Sequence, residues 1–358
     1  MSAPKVVLLR GHNVNPWDLR PWEELEGRFD VTVLVTGANR FDASGLGLRQ
    51  RRVRALRDWV RSDLAVKAMG DRYLGLARQL EGADLVHSAE LGVWFSRQPA
   101  LLRRRLGFKL VLTVWETIPF RATYRAFRGR AYREETIPEV ALFLAATERA
   151  RECLLLEDVP GERIEVCPPG IDAARFAAAR GTPEHLVVSP GRLVWEKGHQ
   201  DVLRALAALR RGVVPGEPPR LAIVGTGPEE DSLRRYAADL GVADLVEFRG
   251  GVPYEEMPSV LGRAACVVLA SLPTPLWEEQ FGMVLAEAEA AGVPVVAAAS
   301  GAIPEVVGDR GALFRPGDWV GLARLLAAPP ERDPAPARFT ASAAAERLAA
   351  AYDRVLAT

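Results

Sequence analysis

The stretch WEEQFGMVLAEAEAAG, residues 277–292, sets two demands against each other. Phe281, Val284, Leu285, Ala288 and Ala291 recur at helical spacing with small alanines between them, so 281–291 reads as a buried helix. Glu287 then falls about two turns inside that helix, and Glu279 stands at its mouth. Burying an unpaired carboxylate costs several kcal/mol. Either the rest of the chain supplies partners for these acids or a ligand does.

Around this stretch, short apolar runs alternate with helical segments. In the first half the strand candidates are 5–9, 31–35, 85–87, 109–114, 142–146 and 164–167. In the second half they are 186–189, 220–224, 245–248, 266–270, 293–297 and 312–314. Most are continuous and rich in β-branched residues without alternation, as expected of strands buried on both faces. Repeated strand–helix–strand units predict parallel sheets with right-handed crossovers. A break near FAAARGTPEHL (176–186), punctuated by Gly181 and Pro183, divides the chain. The expected fold is α/β: two Rossmann-like, doubly wound parallel-sheet domains, 1–180 and 181–340, facing a central cleft. A C-terminal helix near 341–358 is expected to pack back on the first domain. In such sheets ligands sit beyond the carboxyl ends of the strands.

Composition bounds the alternatives. With 358 residues, 49% apolar and 26% charged, the chain has the profile of a two-domain globular protein. The N-terminal run MSAPKVVLL is too short for a signal segment or a membrane span. Cys153, Cys167 and Cys266 lie far apart, which suits a reducing cytoplasm and gives neither a disulfide framework nor metal spacing. No His clusters with a Cys, so no metal site is expected. The net charge of zero hides an asymmetry. Residues 1–175 hold 28 Lys and Arg against 23 Asp and Glu, and the remainder 18 against 23. The Arg-rich runs 47–61, 101–109 and 123–133 read as solvated helix faces, or as an electropositive surface for anionic lipid headgroups or for the other domain. No nucleic-acid motif accompanies them.

The second-half strand ends converge on an anion. SPGRLVWEKG (189–198) places Arg192 and Lys197 after a strand, a bidentate fork and a mobile point charge. Gly225 and Gly227 stand where a backbone can approach a ligand closely. Ser300–Gly301 precedes Pro304, which suits the first turn of a helix whose free N–H groups attract phosphate. A diphosphate on Arg192 and Lys197, ribose hydroxyls on Glu287 and a hexose near Glu279 and the Phe281–Gly282 backbone describe a nucleotide-sugar. That ligand makes both acids tolerable.

These residues resemble a GT-B fold, family-4-type retaining glycosyltransferase. The Glu-x7-Glu signature is present as Glu279 and Glu287, within EEQFGMVLAEAEAAGVPVVAAASGAIPEVV. CPPGIDAARF (167–176), SPGRLVWEKGHQDVLRAL (189–206), IVGTGPEEDSL (223–233) and FRGGVPYEEMPSVLGRA (248–264) follow the family's order. The likeness covers nearly all of 142–320 and is weaker in the first 140 residues, where this family binds acceptors. The resemblance implies a donor-binding second domain and an acceptor-binding first domain. Arg192 and Lys197 would stabilise the leaving diphosphate, and Glu287 would bind the ribose. Glu279 would contact the hexose with the Phe281, Gly282 and Met283 amides. The base would lie near Gly250–Val252, and Gly11 would let the N-terminal loop approach the diphosphate. The family retains configuration and typically needs no metal. Consistently, the chain has no Asp-x-Asp. The chain departs from many relatives in LTVWETIP (112–119), where Trp115 and Glu116 stand in place of a His followed by an acid. Glu116 is expected to accept a proton or orient the hexose, and Trp115 to stack on a sugar. His12, on the first loop, and His87, at a strand end, are further acceptor-side candidates. His185 and His199 read as surface residues, and Trp17, Trp22, Trp59 and Trp94 as core or rim.

The expected function is therefore hexose transfer from a UDP- or GDP-sugar to a glycan or lipid-linked acceptor, without a cofactor. The expected location is cytoplasmic, with peripheral contact at the inner membrane face. A phosphorylase or epimerase on the same fold is the alternative, as is a catalytically silent glycan binder. A pyridoxal-dependent phosphorylase needs its own lysine, and the second half holds only Lys197.

Overall fold

The structure is a computed structural model that describes residues 2–332 and 336–358. The chain forms two compact units. Unit 1 runs to Ile171 and resumes at Thr340; unit 2 is Asp172–Phe339.

Unit 1 carries strands β1 (Lys5–Leu8), β2 (Asp30–Val35), β3 (Arg49–Arg52), β4 (Arg54–Ala55), β5 (Tyr73–Leu74), β6 (Leu85–Ala89), β7 (Lys109–Val114), β8 (Leu142–Ala145) and β9 (Ile164–Val166). Seven of them form one sheet in the order β3-β2-β1-β6-β7-β8-β9, and β4 pairs with β5 separately. All pairings in the large sheet are parallel. Val6 and Leu8 enter one core cluster and Val7 and Leu9 the other, so β1 is buried on both faces. This is why the strand reads as an unbroken apolar run.

Unit 2 carries β10 (Leu186–Pro190), β11 (Arg220–Val224), β12 (Val246–Gly250), β13 (Cys266–Leu269), β14 (Val295–Ala298) and β15 (Gly311–Phe314). They form a parallel sheet in the order β12-β11-β10-β13-β14-β15. The order reverses direction at β10, so β10 and β13 lie side by side and the loops after them meet.

The Arg-rich run 47–61 is not a helix face. Its first part is the edge strand β3, paired only with β2 and exposed at all four residues. An edge strand with no covering layer has no reason to alternate apolar and polar residues. Its arginines also discourage pairing with a further strand. The run at 101–109 does end a helix, Trp94–Leu106, with Arg103, Arg104 and Arg105 in the last turn, where cations complement the macrodipole. Among the described residues no helix is long and apolar enough to cross a membrane.

The C-terminal helix Ala341–Ala357 begins on a Thr340 cap whose hydroxyl accepts the Ala343 amide. It belongs to unit 1 through a buried polar bolt. Tyr352 is fully buried. Its hydroxyl receives the Trp22 indole N–H at 2.7 Å and meets His87 Nδ1 at 2.5 Å. The other His87 nitrogen meets the Thr113 hydroxyl at 2.7 Å. Burial, with the nearby Arg10 charge, holds His87 well below the usual imidazole range, so the ring is neutral. Tyr352→Phe removes the acceptor of one buried donor. It is expected to lower stability by about 1–3 kcal/mol, the desolvation penalty of an unsatisfied polar group. Chemical unfolding of the full chain checks this, and an unchanged midpoint would show the bolt to be energetically idle.

Candidate functional site

The helix of the opening stretch starts later than its periodicity suggests. It spans Met283–Ala290, because Gly282 caps it in the left-handed region at φ 83°. Phe281 lies outside the helix, buried against the Phe339 ring at 5.1 Å between centroids. Glu287 therefore sits in the second turn, 5% exposed, and the Tyr254 hydroxyl donates to its Oε1 at 2.6 Å. Tyr254 is itself packed edge-on against Phe176 at 5.9 Å.

Glu279 is held in the loop between β13 and this helix. Its Oε2 accepts from Lys197 Nζ at 2.7 Å and from the Ser271 hydroxyl at 2.8 Å. Its main-chain carbonyl accepts the Ala302 amide at 2.9 Å, tying the loop to the Ser300–Gly301 turn. Pro304 lies in the first turn of the next helix, Ile303–Val307. Lys197 closes the short turn Trp195–Lys197 after β10, with its ammonium 5.0 Å from the centre of the Trp277 ring. Gly198 follows at φ 71°, where an added Cβ would lie 1.9 Å from the Ala270 carbonyl oxygen. The Leu272 amide also donates to the Glu196 carbonyl at 2.8 Å. The two loops are thus interlocked through the backbone. Arg192, expected beside Lys197, is exposed at the same strand end.

At Gly225 and Gly227 the side that a Cβ would take is filled by the chain's own backbone. A Cβ at Gly225 would lie 1.9 Å from the Gly191 carbonyl oxygen, and one at Gly227 2.3 Å from that of Leu193. Gly250 ends β12 at φ 67°, and Val252 is half-buried beyond it.

His199 is not a surface residue. It is 1% exposed, its Nδ1 meets the Ser189 hydroxyl at 2.9 Å, and its Nε2 meets the Arg192 carbonyl at 3.3 Å. Burial pushes it down to about 4, so it is neutral and fixes the backbone from which Arg192 projects. A His directly after a glycine at a helix start was the available signal. Ser271, Tyr254 and Trp277 were missed because nothing local distinguishes them from ordinary loop residues.

In unit 1, Gly11 donates its amide to the Tyr73 hydroxyl at 2.9 Å. Both nitrogens of His12 are engaged, Nδ1 with the Thr36 hydroxyl at 2.7 Å and Nε2 with Asp71 at 2.8 Å. His87 does not face an acceptor, since it is fully buried in the bolt to Tyr352. Glu116 is also largely occupied. It accepts the Thr117 and Ile118 amides at 3.1 and 3.0 Å and pairs with Arg121. Trp115, half-buried, donates its amide to Glu90 at 3.0 Å. Glu90 is a residue that sequence reasoning overlooked. It follows β6 at φ 63°. Burial, reinforced by the Glu116 charge, pushes its carboxyl from the usual 4.5 up to about 7. Among the described residues no group of three or more His, Cys, Asp or Glu side chains is placed to hold a metal ion.

Similarity to known proteins matches this architecture. The profile of the glycosyl transferases group 1 matches residues 171–345. That of glycosyltransferase family 4 matches residues 23–175. The two together run from residue 23 to residue 345, and the chain belongs to the family-4 glycosyltransferases. A GDP-mannose-dependent alpha-(1-6)-phosphatidylinositol monomannoside mannosyltransferase of Mycolicibacterium smegmatis is 35% identical over 242 residues, covering 61% of this chain and 60% of that protein. A glycogen synthase of Mycobacterium tuberculosis is 40% identical over 197 residues, covering 53% and 45%. The matched part of the chain thus spans only 45–60% of the length of these relatives. The crystal structure of Anabaena Alr3699/HepE in complex with UDP and glucose superposes with a TM-score of 0.68 at 19% identity, over 99% of this chain and 97% of that one, which shows a shared fold.

The raised carboxyl gives a sign-defined prediction. Between about 4.5 and about 7 folded Glu90 binds more proton than the unfolded chain does, so it lowers stability as pH rises through that window. Glu90→Gln keeps the acceptor for the Trp115 amide and removes the titration. The variant is expected to be more stable than the native chain above pH 7, with the difference vanishing near pH 4. Paired melting curves across pH measure this. A pH-independent difference would place the proton elsewhere.

Proposed function

We propose that the protein transfers a hexose from a nucleoside diphosphate sugar to a glycan or lipid-linked acceptor, with retention of anomeric configuration and without a metal ion. The carrying observation is that Lys197, Glu279 and Ser271 converge at the adjacent carboxyl ends of β10 and β13, with Arg192 exposed in the loop after β10. In this reading Arg192 and Lys197 meet the charge that builds on the diphosphate as the C1–oxygen bond breaks, in the manner of preorganised oxyanion stabilisers. The acceptor hydroxyl oxygen bonds to C1 on the same face, and its proton passes to the departing phosphate oxygen. Glu279 faces the hexose with the Phe281, Gly282 and Met283 backbone, and Glu287, oriented by Tyr254, takes the ribose hydroxyls. The base lies toward Gly250–Val252. The donor is a UDP- or GDP-sugar. The mannosyltransferase relative uses GDP-mannose and the Anabaena neighbour holds UDP, which supports the class and leaves the base to experiment.

A transfer assay with UDP- and GDP-hexoses, run in EDTA, tests this. Lys197→Ala and Arg192→Ala are each expected to cut turnover about 10²–10³-fold, the scale of one oxyanion donor. Turnover that collapses in EDTA and returns with Mg²⁺ would overturn metal independence. A mutant with native turnover would remove its residue from the leaving-group role.

We further propose that the protein is cytoplasmic and meets the inner membrane face peripherally. Trp59 and Leu64, 67% and 79% exposed, follow the exposed arginines of β3 in the chain, a combination of apolar anchors and cations suited to an anionic bilayer. Phosphatidylglycerol vesicles are expected to co-sediment the protein at low salt. Binding should weaken as salt rises, because exposed charges are screened within about 8 Å at physiological ionic strength. Trp59→Ala should also weaken it, and absence of binding at low salt would favour a soluble acceptor.

A further inference from the structure

Lys197 and Glu279 satisfy each other before any ligand arrives. The carboxylate has two donors on one oxygen, Lys197 Nζ at 2.7 Å and the Ser271 hydroxyl at 2.8 Å. The ammonium has a carboxylate on one side and the Trp277 ring, 5.0 Å from its centre, on another. Both side chains are largely withdrawn from water, 14% and 12% exposed. Their backbones cannot drift apart. Gly198 abuts the Ala270 carbonyl, Leu272 is bonded to Glu196, and Glu279 is bonded to Ala302. Any exchange of partners must come from the side chains, and Lys197 has the flexible four-carbon stem for it.

On the proposed function, this arrangement has a consequence for ligand discrimination. A bare nucleoside diphosphate drawn to Lys197 meets an ammonium already neutralised by Glu279, and it brings its own negative charge toward that carboxylate. Turning Lys197 to the diphosphate leaves a poorly exposed carboxylate with only the Ser271 donor, which is costly. A nucleoside diphosphate sugar brings a hexose hydroxyl that donates to Glu279 in place of the ammonium. We infer that the Lys197–Glu279 ion pair is a partner-exchange switch. It opens for the diphosphate sugar, closes again when the hexose has been transferred, and thereby weakens the hold on the nucleoside diphosphate product.

The inference rests on the nucleotide-sugar reading, and a double-mutant cycle separates the two. UDP and GDP binding is measured by calorimetry for the native chain, Glu279→Gln, Lys197→Met and the double variant, each checked for a native melting curve. Glu279→Gln keeps the shape and the Ser271 bond but releases the ammonium. It is expected to bind the nucleoside diphosphate about tenfold tighter, equivalent to about 1.4 kcal/mol. The same change in the Lys197→Met background is expected to give little gain, because no ammonium remains to release. An equal gain in both backgrounds would mean simple carboxylate–phosphate repulsion and would overturn the switch. So would native or weaker binding by Glu279→Gln while Lys197→Met loses affinity, and in both of these cases the nucleotide-sugar reading stands. If no form binds either nucleotide, the reading itself falls and the switch with it.

Discussion

A parallel sheet covered on both faces leaves little room for polar chemistry within its strands, and the rest of this molecule follows from that constraint. Backbone groups are satisfied in the ladder, and the side chains alternate into two apolar layers. Polar side chains gather where the ladder stops. In unit 2 the sheet order places β10 next to β13, so the loops after them share one edge. Lys197 and Glu279, 82 residues apart in sequence, are brought to 2.7 Å by that adjacency. A right-handed crossover connection is what allows such distant segments to lie side by side in parallel.

The loops at that edge are built against one another rather than left open. Three glycines, Gly198, Gly225 and Gly227, each bring backbone within a distance that no Cβ tolerates, and in every case the near atom is a carbonyl oxygen of a neighbouring loop. His199 holds the same region from beneath, bridging Ser189 on β10 and the Arg192 carbonyl. On the proposed function, a cation set held this way needs little rearrangement of its backbone to meet a diphosphate, which is the condition for electrostatic stabilisation of a leaving group.

Unit 1 uses acids for a different purpose. The loop after β7 is fastened by three carboxylates: Glu90 takes the Trp115 amide, Glu116 those of Thr117 and Ile118, and Glu157 that of Phe120. Glu116 and Glu157 are also answered by Arg121 and Arg133. Glu90, raised by burial and by the Glu116 charge, answers by holding its proton toward neutrality. The segment LTVWETIP (112–119) therefore ends in a fastened loop, with Trp115 half-buried on it.

The strands of the two large sheets, β3 excepted, and the two acids around Gly282 were legible in the sequence. Each depends on patterns a few residues long: apolar runs such as Lys109–Val114, turn residues, and helical spacing from Leu285 to Ala291. The exposed strand Arg49–Arg52 was not, because an edge with no covering layer carries no apolar signal. The roles of His87, His199, Tyr254 and Ser271 were equally hidden. His87 and Tyr254 are defined by partners on distant helices, Tyr352 and Glu287, and His199 and Ser271 by partners that the folding of their own loops brings close, Ser189 with the Arg192 carbonyl and Glu279. The sequence by itself determined which elements form and which charged residues stand at their ends. Only the tertiary structure decided that Glu279 meets Lys197, since partner choice follows from the spatial order of strands, which no local periodicity encodes.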